Sequence, residues 1–207
     1  KQVDFLLGIC YAQMGNLDQS VAAYSKAMAQ DPLWPQARLG RAVAFLELGR
    51  LDEAVNEYRN LVQLGKASSQ IVLEFTRLLI LSMLSKSPGQ RNWQEVQQWL
   101  SVLEKDDATK TDAIILRAEI LAAEKQTQEA EKLLQTHYGQ DAQNSPLGLA
   151  LVALKLQAGQ QAEASQLLDQ IEQQSGQTLP VLLSRARLAI RDADDKQIRQ
   201  KLVDIAS

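Results

Sequence analysis

The chain repeats a pattern of residues every 34 positions along its 207-residue length. Gly15 and Tyr24 recur 34 positions later as Gly49 and Tyr58, and two series follow this spacing along the chain apart from one longer step in each. One series runs through Ser20, Ala54, Val96, Ala130, Ala164 and Ile198, and the other through Gly8, Ala42, Thr76, Ala118, Val152 and Ala186. A period of this length is typical of stacked helical hairpins, so it predicts an all-α repeat fold.

Each series contains one longer step of 42 residues, which places an insertion between Thr76 and Val96. Residues 85–92 read Ser-Lys-Ser-Pro-Gly-Gln-Arg-Asn, and the adjacent proline and glycine disfavour a helix, so we predict a loop there. Six units result, at about 1–34, 35–68, 69–110, 111–144, 145–178 and 179–207. We expect one continuous array over residues 1–207, and we expect it to be a segment of a longer protein.

Each unit carries two segments with apolar residues at helical spacing, separated by a turn. In the first unit Gly15-Asn16 separates the two segments and Pro32 follows the second. The two series given above hold mostly small residues, and together they are called the small series. They allow close helix crossings, because a small side chain lets two backbones approach. A third series supplies the large side chains that fill the flanks: Tyr24, Tyr58, Leu100, Leu134, Leu168 and Leu202.

The first two units resemble the tetratricopeptide repeat. The motifs are Leu7-Gly8-x-x-Tyr11, Gly15-Asn16-Leu17-Asp18 and Tyr24-x-x-Ala27 in unit one, then Ala42-x-x-Phe45, Gly49-Arg50-Leu51-Asp52-Glu53-Ala54 and Tyr58-x-x-Leu61 in unit two. The later units keep the alternation of small and large residues but lose most glycines and aromatics. The resemblance implies a right-handed α-solenoid of antiparallel helix pairs, whose concave groove is lined by the first helix of each pair and binds a peptide or protein.

Two apolar series and one mixed series are expected to face that groove. They run through Phe5, Leu39, Leu73, Ile115, Leu149 and Leu183, through Ala12, Leu46, Ile80, Ala122, Leu156 and Ile190, and through Ile9, Val43, Arg77, Glu119, Ala153 and Arg187. From these we predict a groove for an apolar or amphipathic segment, formed by Phe5, Ile9, Leu39, Val43, Leu46, Leu73, Arg77, Ile80, Ile115, Glu119, Leu149, Leu183 and Arg187. The alternative is that the leucines pack neighbouring first helices against each other.

One known form of the fold clamps a chaperone's C-terminal carboxylate with Lys, Arg and Asn side chains in the groove. The matching positions here are Phe5, Ile9, Leu39, Gly40 and Val43. The sequence therefore predicts that the chain is not a co-chaperone of that type.

Composition argues against other classes of function. A net charge of -3 and an isoelectric point near 5.3 give no basic surface for nucleic acid. No apolar run is long enough to span a membrane. The single histidine, His137, lies at an apolar position near a helix end and is expected to be half-buried, and the single cysteine, Cys10, is expected to be buried. We predict no enzyme, metal site or cofactor.

The sequence thus predicts a non-catalytic scaffold or adaptor that binds a protein or peptide. Two alternatives remain open: a structural or dimerising segment with its groove filled in cis, and an accessory domain of a larger enzyme. The first helix is apolar nearly all round, from Val3 to Met14. Such a helix is normally buried on all sides, so either more chain packs before it or it makes a homotypic contact.

Overall fold

The computed structural model describes residues 1–65 and 67–192, and these residues form helices without strands. The helices are α1 (Gln2–Gln13), α2 (Leu17–Gln30), α3 (Pro35–Glu47), α4 (Leu51–Gln63), α5 (Ser69–Leu84), α6 (Gln94–Leu103), α7 (Lys110–Ala123), α8 (Thr127–Gln140), α9 (Ser145–Gln157), α10 (Gln161–Ser175) and α11 (Leu179–Asp192). Helices pair as the period predicts, α1 with α2, α3 with α4, α5 with α6 and α9 with α10, and residues of α7 and α8 share one core cluster. The predicted fold class, an all-α solenoid of antiparallel helix pairs, is confirmed.

The chain divides into two compact units, Lys1–Ala113 and Ile114–Ser207, and the division falls within α7. The first unit holds α1 to α6, and the second holds most of α7 together with α8 to α11. The expectation of one continuous array over residues 1–207 stays a prediction.

The turns between paired helices share one backbone conformation. Gly15, Gly49 and Gly159 have φ values of 74°, 73° and 78°, in the left-handed region where glycine is favoured. The period places Lys125 at the corresponding position of the fourth unit, and its φ of 65° is the one positive value at a non-glycine residue in the described chain. The fourth unit therefore keeps the turn although it lost the glycine.

The residues of the small and large series lie where helices cross. In the second helices the small series is buried at Ser20, Ala54, Val96, Ala130 and Ala164, and in the first helices it is buried at Gly8, Ala42, Thr76, Ala118 and Val152. Ala186 is an exception, because it is exposed on α11. Tyr24, Tyr58, Leu100, Leu134 and Leu168 of the large series are buried as well. Ile198 and Leu202 lie outside the described residues.

The outer face of α1 is open in the described chain. Gly8 is the only buried residue of this helix, whereas Val3 and Met14 are each 70% exposed and Leu6 is 58% exposed. The expectation that Cys10 is buried is wrong, because the thiol lies on this exposed helix. Its apolar neighbours Ile9 and Tyr11 indicated a core position, but no described helix packs on that face.

The predicted insertion lies between α5 and α6. Residues 85–93 connect the two helices and contain one short 3-10 turn, Pro88–Gln90. Residues 85–90 are all exposed. His137 is half-buried in the last turn of α8, as predicted. No helix among the described residues combines the length and the hydropathy needed to cross a membrane.

Candidate binding clefts

Each of the two compact units contains an apolar cleft between the first helices of consecutive repeats. The first cleft, of about 320 Å³, is lined by Phe5, Ala12, Tyr24, Gln36, Leu39, Gly40, Val43, Ala44 and Glu47. The second cleft, of about 290 Å³, is lined by Ile115, Ala118, Glu119, Ala122, Ala123, Leu134, Ala150, Ala153, Leu154 and Gln157. In both clefts the second helix of the pair supplies one large side chain, Tyr24 or Leu134, from the same position of the repeat.

The wall of the first cleft depends on a close fit between Tyr24 and two glycines. A Cβ atom on Gly8 would lie 2.6 Å from Tyr24 Cε1, and one on Gly40 would lie 2.5 Å from Tyr24 Cζ. Real Cβ atoms do not approach so closely, so the tyrosine ring occupies space that any larger residue at either position would need. Burial raises the pKa of the Tyr24 hydroxyl, and its hydrogen bond with Ser20 opposes that shift. Tyr24 is therefore a fixed, uncharged surface for a ligand.

Aromatic contacts hold Phe5 at the other side of the first cleft. Its ring centroid lies 5.8 Å from that of Tyr24 and 4.7 Å from that of Trp34, in tilted geometries that are favourable for aromatic pairs. Lys1 covers Trp34, with its Nζ atom 5.6 Å from the ring centroid. Phe5 thus presents a rigid apolar edge rather than a mobile side chain.

An ion network behind α3 orients the helix that supplies most of the first cleft. The Glu57 carboxylate of α4 accepts hydrogen bonds from Arg38 Nη1 at 2.9 Å and from Arg41 Nη2 at 2.6 Å. Its side chain is only 9% exposed, so these are partly desolvated, charge-assisted bonds. Because Arg38 and Arg41 are fixed in this way, the face of α3 that carries Leu39 and Val43 is directed into the cleft.

The two clefts contain five of the predicted groove residues. Phe5, Leu39 and Val43 line the first cleft, and Ile115 and Glu119 line the second. Val43 is 41% exposed and is the most accessible apolar side chain of the first cleft.

The other predicted groove residues lie outside the two clefts. Ile9 and Leu46 are half-buried, and Leu149 packs against the core around Val152 and Leu168. Leu73 and Ile80 are buried within the first unit. Arg77 donates a hydrogen bond to Asp112 at 2.6 Å, and α11 exposes the last two, which are Leu183 and Arg187.

Gln36 and Glu47 line the first cleft but were not predicted from the sequence. Both lie on the same face of α3 as Gly40 and Val43, because positions 36, 40, 43 and 47 follow helical three- and four-residue steps. That spacing was the available signal, but neither position belongs to the three repeated series from which the groove was predicted.

Comparison with known families agrees with this architecture. A tetratricopeptide-repeat profile matches residues 5–69, and a second one matches residues 121–188. Together the two matches cover more than half of the chain. The chain belongs to the tetratricopeptide repeat family. Members of this family typically act as non-catalytic scaffolds for protein–protein interaction. No curated protein matches the chain significantly.

Solved tetratricopeptide-repeat structures share the fold at low sequence identity. A tetratricopeptide repeat protein from Parabacteroides merdae is 16% identical with a TM-score of 0.66, and the match covers 98% of this chain and 82% of that one. A thermophilic protein of the family from Thermus thermophilus is 20% identical with a TM-score of 0.57, over 91% and 98% of the two chains. YrrB, described as having an unusual peptide-binding site, is 15% identical with a TM-score of 0.54, over 88% and 90%.

Proposed function

We propose that this tetratricopeptide-repeat chain is a non-catalytic scaffold whose first cleft binds an apolar or amphipathic segment of another protein. The observation that carries the proposal is the open apolar surface formed by exposed Val43 between the half-buried side chains of Phe5 and Leu39. An apolar strip that stays accessible on a folded chain favours a role in association. The peptide-binding site described for YrrB supports the same kind of ligand.

The residues of both clefts support binding rather than catalysis. The clefts are lined mainly by aliphatic and aromatic side chains, with one glutamate and one glutamine each. A nucleophile paired with a base, as acyl transfer requires, is not among these lining residues. No cluster of three metal-ligating side chains occurs in the part of the chain that the structure describes.

Peptide selection tests the proposal. A phage-displayed library of short peptides would be selected on the wild-type chain, and each enriched peptide would be measured on Val43→Glu. We expect enriched peptides to carry a large apolar residue and to lose at least about tenfold in affinity on Val43→Glu, because a carboxylate would then face the apolar side chain.

A matched variant separates loss of the cleft from a general effect of added charge. Leu81 is 54% exposed on α5 and lines neither cleft, so Leu81→Glu should leave peptide affinity unchanged. Circular dichroism should show full helicity for both variants, since both sites are exposed. Enriched peptides that bind Val43→Glu as tightly as wild type would disprove binding in the first cleft.

A second candidate function is a dimerising segment that acts through α1. The supporting observation is its exposed apolar face, formed by Val3, Leu6, Leu7, Cys10 and Met14. Two such helices could pair about a two-fold axis and cover each other. Sedimentation of the wild-type chain and of a Leu6→Lys, Met14→Lys double variant tests this role: a wild-type dimer that becomes a monomer in the variant supports it, and a wild-type monomer contradicts it.

A further inference from the structure

We infer that the first cleft selects for charge as well as for apolar surface, and that its partner is a basic amphipathic segment. The partner would place a large apolar side chain against Tyr24 and Val43 and a Lys or Arg side chain beside Glu47. This inference rests on the proposed function, because it specifies the ligand of the same cleft.

The Glu47 carboxylate is available to a ligand. Glu47 is exposed, lines the first cleft and is the last residue of α3. Among residues 1–65 and 67–192, no ion pair engages it. Two glutamates of α4 differ from Glu47 because each forms an ion pair. Glu57 pairs with Arg38 and Arg41, and the Glu53 carboxylate lies 2.7 Å from the Arg50 guanidinium.

The nearest basic residue along the chain is committed elsewhere. The Arg50 guanidinium pairs with Glu53 and lies over the Phe45 ring, 4.6 Å from its centroid. A planar guanidinium engaged on one edge by a carboxylate and on its face by an aromatic ring has little freedom to turn toward Glu47. The charge at this end of the cleft is therefore left for a ligand to neutralise.

Two helix ends add to the negative potential around Glu47. The cleft is lined by Phe5 and Ala12 of α1 and by six residues of α3, of which Gln36 is the first and Glu47 the last. Ala12 lies one residue before the end of α1, so each helix contributes a lining residue at its C-terminus. Each helix C-terminus carries roughly half a negative charge from aligned peptide dipoles. A cation is favoured there and an anion is disfavoured.

The apolar part of the cleft lies about one helical turn away from this charge. Val43 and Glu47 are four residues apart on α3, which corresponds to about 6 Å along the helix axis. A ligand helix presents residues i and i+4 at the same separation on one face. The cleft of about 320 Å³ has room for one large aliphatic or aromatic side chain beside Tyr24 and Gly40. A helix with an apolar residue and a basic residue four positions apart satisfies both features.

This polarity is opposite to that of the chaperone clamp, which uses basic groove residues to hold a carboxylate. At the clamp positions the chain carries apolar residues, and the charge that it adds at Glu47 is negative. An acidic C-terminal peptide would meet like charge at the open end of the first cleft, so electrostatics would work against it.

Three fluorescein-labelled peptides of about 15 residues, long enough for marginal helicity, test the inference by fluorescence anisotropy. One contains leucine and lysine at amphipathic spacing, the second replaces every lysine with glutamate, and the third replaces every leucine with serine. We expect the leucine–lysine peptide to bind at least about tenfold more tightly than the leucine–glutamate peptide, and the serine–lysine peptide not to bind.

Substitutions then locate the charge preference. Glu47→Gln should reduce the difference between the two leucine peptides to within about twofold. Glu74→Gln changes the net charge equally at an exposed residue of α5 outside the cleft, and should preserve the difference. Circular dichroism checks that both variants remain folded.

The outcomes distinguish the inference from the proposed function. Equal binding of the leucine–lysine and leucine–glutamate peptides to the wild-type chain overturns the charge preference and leaves the apolar cleft in place. Equal effects of Glu47→Gln and Glu74→Gln also overturn it, because the preference would then reflect net charge alone. Failure of both leucine peptides to bind overturns the inference and the proposed first-cleft function together.

Discussion

At the scale of single residues, the first unit depends on a fit between one tyrosine and two glycines. Because a Cβ atom on Gly40 would lie 2.5 Å from the Tyr24 ring, either the ring or α3 must move when Gly40 is enlarged. Such overpacking of a buried site typically costs about 1–3 kcal/mol. The space that a partner would enter and the packing that holds α1 to α3 therefore depend on the same atoms.

We predict that Gly40→Ala lowers the free energy of unfolding by about 1–3 kcal/mol in urea denaturation. Adding Tyr24→Leu to Gly40→Ala should recover part of this loss, because the smaller side chain makes room for the methyl group. Gly139→Ala in α8 is the control. A Cβ atom at Gly139 would have no neighbour within 4 Å, so the change should be neutral or stabilising by up to about 1 kcal/mol. A Gly40→Ala chain as stable as wild type would contradict the tight packing.

The turn at Lys125 offers a stabilising substitution. A side chain in the left-handed region costs about 1 kcal/mol relative to glycine, although glycine also gives the unfolded chain more freedom. Lys125→Gly should therefore raise the urea midpoint and stabilise the chain by about 0.5–1 kcal/mol. Gly159→Ala, at the equivalent turn with φ of 78°, should lower the midpoint. A lower midpoint for Lys125→Gly would show that the lysine side chain makes a contact worth more than the strain.

The repeat period alone was enough to predict the role of some residues. It placed the turn at Gly15, the buried crossing at Ala54 and the large side chain at Tyr24, because each role repeats with the backbone geometry. It failed at Cys10, and it left open the difference between buried Leu73 and exposed Val43. Whether a repeated apolar position is covered depends on which helix packs over it, and one chain's period does not contain that information.

At the scale of helices, the Glu57 carboxylate couples α3 to α4. We predict that Glu57→Ala destabilises the chain by about 2–4 kcal/mol, because Arg38 and Arg41 would lose their shared, partly buried counterion. Glu53→Ala makes the same chemical change on the exposed side of α4 and should have a much smaller effect. Thermal denaturation of both variants checks this, and equal losses would contradict the special role of Glu57.

Among the described residues, we expect the connection between α5 and α6 to be the segment most sensitive to proteases. Residues 85–90 are exposed, and one 3-10 turn is the only regular structure there. Limited trypsin digestion should therefore cut first after Lys86 or Arg91, before Arg50 beside the Gly49 turn, as identified by mass spectrometry of the fragments. Early cleavage at Arg50 with residues 85–92 intact would contradict this prediction.

At the scale of the whole molecule, the division at α7 predicts how a local change spreads. The stability of a repeat protein is approximately the sum of the intrinsic stability of each repeat and of the interfaces between neighbouring repeats. A defect therefore weakens its own repeat and the adjacent ones most. Ala54 is fully buried where α4 crosses its partner helix, and Ala54→Leu should cost about 1–3 kcal/mol. Hydrogen exchange should then become faster in α2 to α5 and stay unchanged in α9 and α10.

Asn56→Ala, two residues further along α4, is the control for that experiment. Asn56 is exposed, so its removal should change stability by less than about 0.5 kcal/mol and leave exchange unchanged in both units. Equal acceleration of exchange from α2 to α10 in Ala54→Leu would show that the chain unfolds as a single cooperative body, and would contradict the prediction of a local response.

The side-chain volumes paired at each helix crossing determine the order in which mutations can change them. Gly8 accompanies Tyr24, Ala42 accompanies Tyr58, Ala118 accompanies Leu134 and Val152 accompanies Leu168. The Ala118–Leu134 pair combines a small residue with a leucine, so it is a stepping stone between the Ala42–Tyr58 combination and the Val152–Leu168 combination. Replacing the tyrosine first leads to a combination that the chain already contains, whereas enlarging the small residue first overfills the crossing.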